Sequence, residues 1–312
     1  METGKQIYDI IIVGGGPAGL TAALYARRAS RTVLILEKLT FGGQITFSPK
    51  VENIPGFPVL SGNEFAERLV DQVLSQGAEA ESAEVLGIEP TDCGWLVRTD
   101  NGQYRGRTVI LATGARHRLM GLNREEELIG RGISFCAVCD GAFYAGRTVG
   151  VVGGGNSALQ EALLLSDLAQ HVYIIQNLGY LTGEQSLQDQ LRARGNVTVL
   201  TNRIVTELLG SGELAGIRIR QADGNQTEAL DLDGLFVAIG LVPQNETFAD
   251  LVKLDAGGYV NADESCITQT CGVFAAGDCR RKRIRQVTTA AADGAVAAIA
   301  ACDYLKQSES AT

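Results

Sequence analysis

Residues 7–13, Ile-Tyr-Asp-Ile-Ile-Ile-Val, form an almost unbroken apolar run. Such a run predicts a strand buried on both faces, as in parallel sheets. It ends in Gly14-Gly15-Gly16-Pro17-Ala18-Gly19, after which residues 20–28 read as helix. A second run, Thr32-Val33-Leu34-Ile35-Leu36, closes on Glu37. Strand, glycine turn, helix and strand make a complete βαβ unit. The pattern returns with strand 148–152, turn Gly153-Gly154-Gly155-Asn156-Ser157-Ala158, helix 159–169 and strand 171–175. Gly153 lies 139 residues after Gly14, so the repeat is a duplicated domain and not a solenoid. Strand signals recur at 108–111, 235–239 and 273–276, and 287–305 is an alanine-rich helix. The pattern predicts an α/β protein of two dinucleotide-binding, Rossmann-like, three-layer domains.

Composition narrows the picture. The chain has 312 residues, which at about 100–200 residues per domain also suggests two domains. Its 38 glycines are about 12%, against a usual ~7%, as expected for many tight strand-to-helix turns. The net charge of −9 argues against general nucleic-acid binding. No apolar run reaches the ~18 residues of a membrane span, and the first residues lack a signal-type apolar core. A cytoplasmic location is therefore expected. Seven dispersed cysteines are no disulfide framework, and only Cys136 and Cys139 form a C-x-x-C pair.

The candidate chemistry lies at three places. Gly14-x-Gly16-x-x-Gly19 sits between strand and helix, where backbone can approach a pyrophosphate and the helix N-terminus can face it. Glu37 follows where a carboxylate would hold ribose hydroxyls. Cys136-Ala137-Val138-Cys139-Asp140 places two sulfurs within disulfide reach, with a carboxyl beside them to move a proton. Half a zinc site is the rival reading, but there is no second C-x-x-C, and His117 and His171 are the only histidines. Cys266, Cys271 and Cys279 do not have iron–sulfur spacing, so no metal is expected.

Further stretches, in this order, are Gly42-Gly43-Gln44, Val51-Glu52-Asn53-Ile54-Pro55-Gly56-Phe57-Pro58, Ala112-Thr113-Gly114-Ala115, Cys136-Ala137-Val138-Cys139-Asp140-Gly141, Phe236-Val237-Ala238-Ile239-Gly240, Gly277-Asp278 and Arg285-Gln286. With these, the chain resembles the low-molecular-weight thioredoxin reductase family along almost its whole length. The resemblance implies a discontinuous FAD-binding domain, 1–115 plus 243–312. The intervening 116–242 would be a pyridine-nucleotide-like domain carrying the redox cysteines. It implies FAD contacts from Gly14, Gly16, Pro17, Ala18, Gly19, Glu37, Lys38, Gly42, Gly43, Gln44, Asn53, Thr113, Gly114, Ala115, Gly277, Asp278, Arg285, Gln286 and Val287. Glu37 would hold the adenosine ribose, Asp278 the ribityl chain, and Gln286 with Val287 would meet the isoalloxazine. Cys139 would be the sulfur next to the flavin, Cys136 the nucleophile toward thioredoxin, and Asp140 the acid/base. A homodimer is also implied.

The second glycine loop departs from that family. Gly153, Gly155, Asn156, Ser157 and Ala158 keep the turn. NADPH-using relatives then carry a His-Arg-Arg-x-x-x-Arg segment whose arginines clamp the 2′-phosphate. Here Asn177, Leu178 and Thr182 stand at the arginine positions. Each lost charge-assisted hydrogen bond is worth about 1.5–3 kcal/mol, so NADPH is disfavoured. Gln176 and Asn177 are neutral, so NADH is not signalled either. The chain looks like the ferredoxin-dependent members that lack this motif. Arg280-Arg281-Lys282-Arg283, followed by Arg285, is expected to form a basic patch for an acidic carrier such as ferredoxin. A thioredoxin dock or a solvated loop would read the same. Three other readings fit the scaffold: an NADH- or NADPH-dependent thioredoxin reductase with an atypical pyridine site that sets an amide on the ribose, an oxygen-using oxidase of small dithiols, and a non-catalytic FAD-holding redox sensor.

Overall fold

A computed structural model describes residues 6–48 and 51–310, so the expectation for the extreme N-terminus, residues 1–5, lies outside the described residues. The chain divides into two compact units, Met1–Pro49 with Ile54–Arg116 and Val242–Thr312, and Lys50–Asn53 with His117–Leu241.

In the first unit, Ile7–Val13 is the central strand, paired in parallel with Val33–Glu37 and Gln103–Leu111. Glu79–Ser82 extends the sheet in parallel beyond Val33–Glu37, and Val273–Ala275 pairs in parallel with Gln103–Leu111. Gly94–Thr99 and Val85–Thr91 continue it as an antiparallel edge. The apolar run at 7–13 is explained by burial on both faces. Ile10 and Ile12 join one core cluster, while Ile11 and Val13 join the other. The first cluster lies under helices Pro17–Arg28 and Val287–Ser310. Their facing positions are alanines (Ala22, Ala23 and Ala26; Ala297, Ala298 and Ala301), which let the helix backbones come close. The opposite face is covered by Phe248, Val252, Val260 and Trp95 among others. Helix Gly62–Ser75 starts with a full capping box between Ser61 and Glu64.

In the second unit, five parallel strands run in the order Val197–Leu200, His171–Ile175, Thr148–Val152, Gly234–Val237, Ile133–Ser134. Helix Asn156–Ser166 packs one face through Ala158, Leu159, Ala162 and Leu165. A separate antiparallel sheet, Arg203–Leu209, Gly216–Gln221 and Thr227–Asp231, contributes Ile217 and Ile219 to the core on the other side. Each unit is a layered α/β domain with a parallel sheet, the architecture that the repeated βαβ pattern announces. No helix among the described residues is long and apolar enough to cross a membrane.

Candidate functional site

The first unit forms a cradle around its glycine loop. Gly14-Gly15-Gly16 leads into the helix starting at Pro17. A side chain at Gly19 would place its Cβ 1.9 Å from the Gly14 carbonyl oxygen, so only glycine lets the helix start this close to the turn. Nothing lies within 4 Å of where a Gly16 Cβ would stand, which leaves that side open. The Glu37 carboxylate accepts from the Gly15 N–H at 2.7 Å and the Leu39 N–H at 2.8 Å. It is thereby held at the strand end beside the loop. Lys38 instead turns to Glu84, at 3.4 Å. Gly42 donates its N–H to the Gly15 carbonyl at 2.8 Å, and Gly43 packs against Gly16. Gln44 Nε2 donates to the Ala115 carbonyl, tying the 43–47 turn to the 113–115 segment.

Two further turns complete the cradle. Thr113 Oγ1 donates to Asn245 Oδ1 at 2.8 Å beside Gly114. The Gly277–Cys279 turn carries Asp278, whose buried Oδ1 has no partner among the described residues. Burial pushes the Asp278 carboxyl above its ordinary value, with the Lys282 and Arg285 charges opposing that. Arg285 stacks over Tyr259, 4.2 Å from the ring centroid, and Gln286 precedes the helix that begins at Val287. A glycine loop open on one side, a held carboxylate at the ribose position and an orphaned buried acceptor fit an FAD molecule.

The run Arg280-Arg281-Lys282-Arg283 does not form the outward patch expected of it. Arg280 is 1% exposed, its Nε and Nη2 both bound to the Asp293 carboxylate at 2.8 Å. Lys282 Nζ reaches the same carboxylate at 2.9 Å. A buried acid supplied by helix Val287–Ser310 draws two of the four cations inward, because a buried cation needs a partner. Arg281 and Arg283 remain exposed.

In the second unit, Cys136 and Cys139 form a disulfide with Cα atoms 5.3 Å apart. The remaining cysteines are free thiols; Cys266, Cys279 and Cys302 are buried, Cys93 and Cys271 exposed. Cys136 caps a single helical turn, Ala137–Asp140, and its Sγ accepts the Cys139 N–H at 3.2 Å. That N–H would stabilise a Cys136 thiolate once the disulfide opens. Ser134, which the sequence did not single out, organises the rest. Its Oγ accepts the Cys136 N–H at 3.1 Å and donates to Asp140 Oδ2 at 2.6 Å. Burial raises the Asp140 carboxyl above the ordinary carboxylate value, and the Ser134 hydrogen bond opposes the rise. Its Oδ1 is buried without a partner among the described residues. Asn53, expected among the flavin residues, clusters with this unit, its Nδ2 3.9 Å from Cys139 Sγ. His117 stacks on Phe135 at 4.4 Å, and burial pushes it down to about 4, so the ring is neutral.

The second glycine loop repeats the first at a spacing of 139 residues, Gly153 after Gly14. Gln176 lies 139 residues after Glu37, so an amide stands where the first unit has its ribose carboxylate. The Gln176 amide is engaged by its own loop. Its Nε2 donates to the Tyr180 carbonyl at 3.3 Å, and its Oε1 accepts the Asn177 N–H at 3.2 Å. The N–H groups of Thr182 and Gly183 both donate to the Gly154 carbonyl at 2.8 Å. Asn156 pairs reciprocally with Glu184, at 2.7 and 2.9 Å. Loop 176–184 is thus folded against the turn, showing solvent Leu178 and Tyr180.

Glu161, on helix Asn156–Ser166, is a buried carboxyl whose Oε2 is bonded to nothing among the described residues. Burial pushes it up to about 7 from 4.5. The folded chain then holds this proton more tightly than the unfolded chain. The associated stability is complete below about pH 4.5 and is lost as pH rises through 7. Glu161→Gln should therefore melt several degrees above the parent at pH 8, a gain on the order of 3 kcal/mol, and gain little at pH 4.5. Melting curves across that range check this; a difference that does not change with pH would refute it.

A family model described as pyridine nucleotide-disulphide oxidoreductase matches residues 8–294. The chain is 39% identical to a "34.2 kDa protein in rubredoxin operon" of Clostridium pasteurianum, over 98% of this chain and 99% of that one. It is 38% identical to a thioredoxin reductase of Listeria monocytogenes, covering 98% and 97%. The crystal structure of a thioredoxin reductase from Streptococcus pyogenes superposes with a TM-score of 0.91 at 36% identity, covering 96% and 99%.

Proposed function

Since the chain belongs to the thioredoxin reductase family of pyridine nucleotide-disulphide oxidoreductases, we propose that it reduces the disulfide of thioredoxin with electrons from a donor other than NADPH. The observation that carries the disulfide chemistry is the Cys136–Cys139 bond with Ser134 and Asp140 arranged on it. Bound FAD supplies the two-electron store between donor and disulfide.

The chain's own residues do the following. Two electrons and two protons convert Cys136–Cys139 to a dithiol. The Cys136 thiolate, facing the Cys139 N–H, attacks one sulfur of the thioredoxin disulfide and expels the other as a thiolate. Cys139 then attacks Cys136 Sγ, releasing the second thioredoxin sulfur and closing the disulfide again. Asp140 takes the proton from Cys139 and returns it to a departing thiolate. A carboxyl lifted by burial is suited to this, because its proton affinity moves toward that of neutral solution.

The donor reading rests on the neutral segment Gln176-Asn177-Leu178 and on Thr182. A 2′-phosphate would meet no guanidinium from that segment. Reduced ferredoxin, a one-electron carrier delivering two electrons in succession, is the donor we favour. Exposed Arg281 and Arg283 are the cations left to steer such an acidic protein. The test is anaerobic bleaching of the bound flavin by NADPH, NADH and reduced ferredoxin in parallel, followed by oxidised thioredoxin. We expect rapid bleaching by ferredoxin alone, weakened by salt, and recovery of colour on adding thioredoxin. Rapid bleaching by either nicotinamide would overturn the donor reading. Bleached flavin that thioredoxin cannot reoxidise would overturn the acceptor.

A further inference from the structure

The Gly277–Cys279 turn is anchored from both ends by buried side chains whose polar atoms all have partners among the described residues. At its start, the Gly277 N–H donates to Asp293 Oδ2 at 2.9 Å. That carboxylate also takes the bidentate Arg280 guanidinium and Lys282 Nζ, and Asp293 is 6% exposed. At its end, the Cys279 carbonyl accepts from Asn245 Nδ2 at 2.8 Å. Asn245 is fully buried; the same Nδ2 also donates to the Gly258 carbonyl at 2.9 Å, and Oδ1 accepts from Thr113 Oγ1 at 2.8 Å. One side chain therefore joins the turn at 277–279 to the turn at 113–114. Every polar side-chain atom of both anchors is thus bonded to another described residue.

Packing explains how Asp293 arrives there. A Cβ on the next residue, Gly294, would stand 2.1 Å from the Ala18 carbonyl, so the last helix lies directly against the start of the first. Gly277, at φ +79°, also sits against Ala18; a Cβ there would meet the Ala18 Cβ at 2.7 Å. The turn is pressed between the glycine-loop helix and the helix bearing Asp293. Between the anchors stands Asp278, with one buried carboxylate oxygen unmatched among the described residues.

We propose that Asp293, clamped by Arg280, and Asn245 are positioning residues for the flavin, acting through the Asp278 carboxylate and the Thr113 turn without touching the cofactor. The inference rests on the FAD reading above. It also gives Arg280 a role inside the fold in place of a surface one.

The test uses the full-length chain, stripped of flavin and retitrated with FAD, with binding read by quenching of flavin fluorescence. Asp293→Asn should weaken FAD binding by about 10–100-fold, a shift that follows from misplacing one charge-assisted hydrogen bond. Because Asp293 acts through Asp278, the double variant Asp278→Asn/Asp293→Asn should bind no worse than Asp278→Asn alone. The stabilisation that saturating FAD adds to the melting temperature should shrink in Asp293→Asn. A merely structural role would lower the flavin-free and flavin-loaded melting temperatures equally. Should Asp293→Asn not fold, Asn245→Ser carries the same titration with the same expected loss. Binding within threefold of the parent, or losses that multiply in the double variant, would overturn the proposal. A parent chain that takes up no FAD would instead overturn the FAD reading itself.

Discussion

Cys136→Ser is expected to stop thioredoxin reduction, lowering turnover by at least ~10³-fold, because a serine hydroxyl is not ionised near neutral pH and forms no disulfide. Flavin content should be unchanged, since the cysteine pair lies in the second unit and the glycine-loop cradle proposed for the flavin in the first. The partner substitution separates the two sulfurs. Cys139→Ser leaves Cys136 able to attack but removes the thiol that resolves the mixed disulfide. It should therefore capture oxidised thioredoxin as a covalent complex, visible on a non-reducing gel and released by a thiol reductant. Cys136→Ser should capture none. The structure argues for this order because the Cys139 N–H points at Cys136 Sγ at 3.2 Å, and Ser134 Oγ holds the Cys136 N–H at 3.1 Å. Capture by Cys136→Ser in place of Cys139→Ser would reverse the roles, and residual turnover in both would remove the disulfide from the mechanism.

The second large effect is a gain. Asn177→Arg, Leu178→Arg and Thr182→Arg together should strengthen NADPH binding by about 10²–10⁴-fold, from restoring two charge-assisted hydrogen bonds worth about 1.5–3 kcal/mol each. Nothing in the fold needs to move for this. The side chain of Leu178 is exposed, and the Thr182 N–H already donates to Gly154 beside the loop. NADH, which lacks the 2′-phosphate, should gain far less, so the ratio between the two nucleotides is the decisive quantity. Rates of anaerobic flavin bleaching against nucleotide concentration measure it. An equal gain for both nucleotides would mean that the arginines act as general charge and not as a phosphate clamp. Saturation of the parent chain at micromolar NADPH would mean that the amide-lined loop already serves as a nicotinamide site.

Much of the architecture is determined by sequence alone, for a local physical reason. A strand buried on both faces is apolar along most of its length, so 7–13 and 171–175 declare themselves despite Asp9 and His171, as do the glycine turns that let a helix start against a strand end. The Cys136–Cys139 pair is legible because a three-residue spacing itself brings the sulfurs together. The absence of cations at 177, 178 and 182 is equally a property of the sequence.

Only tertiary structure decides what depends on residues meeting from distant parts of the chain. Arg280 reads as one of a run of surface cations until Asp293 is seen buried beside it. Nothing local tells a solvated arginine from one drawn inward by a partner, since the desolvation of the charge and its compensation belong to different elements. Ser134 was within reach of a sequence argument, two residues before Cys136, but serine is too common in turns to carry a signal until its bonds to Cys136 and Asp140 are seen. Asn245 joins Thr113, Gly258 and Cys279, contacts spanning 132, 13 and 34 residues, and no periodicity records such a junction. Residues 51–53 read as continuous with the first domain and yet cluster with the second. Chain order places backbone elements, whereas hydrogen-bond partners of buried polar side chains are chosen by the packing of those elements.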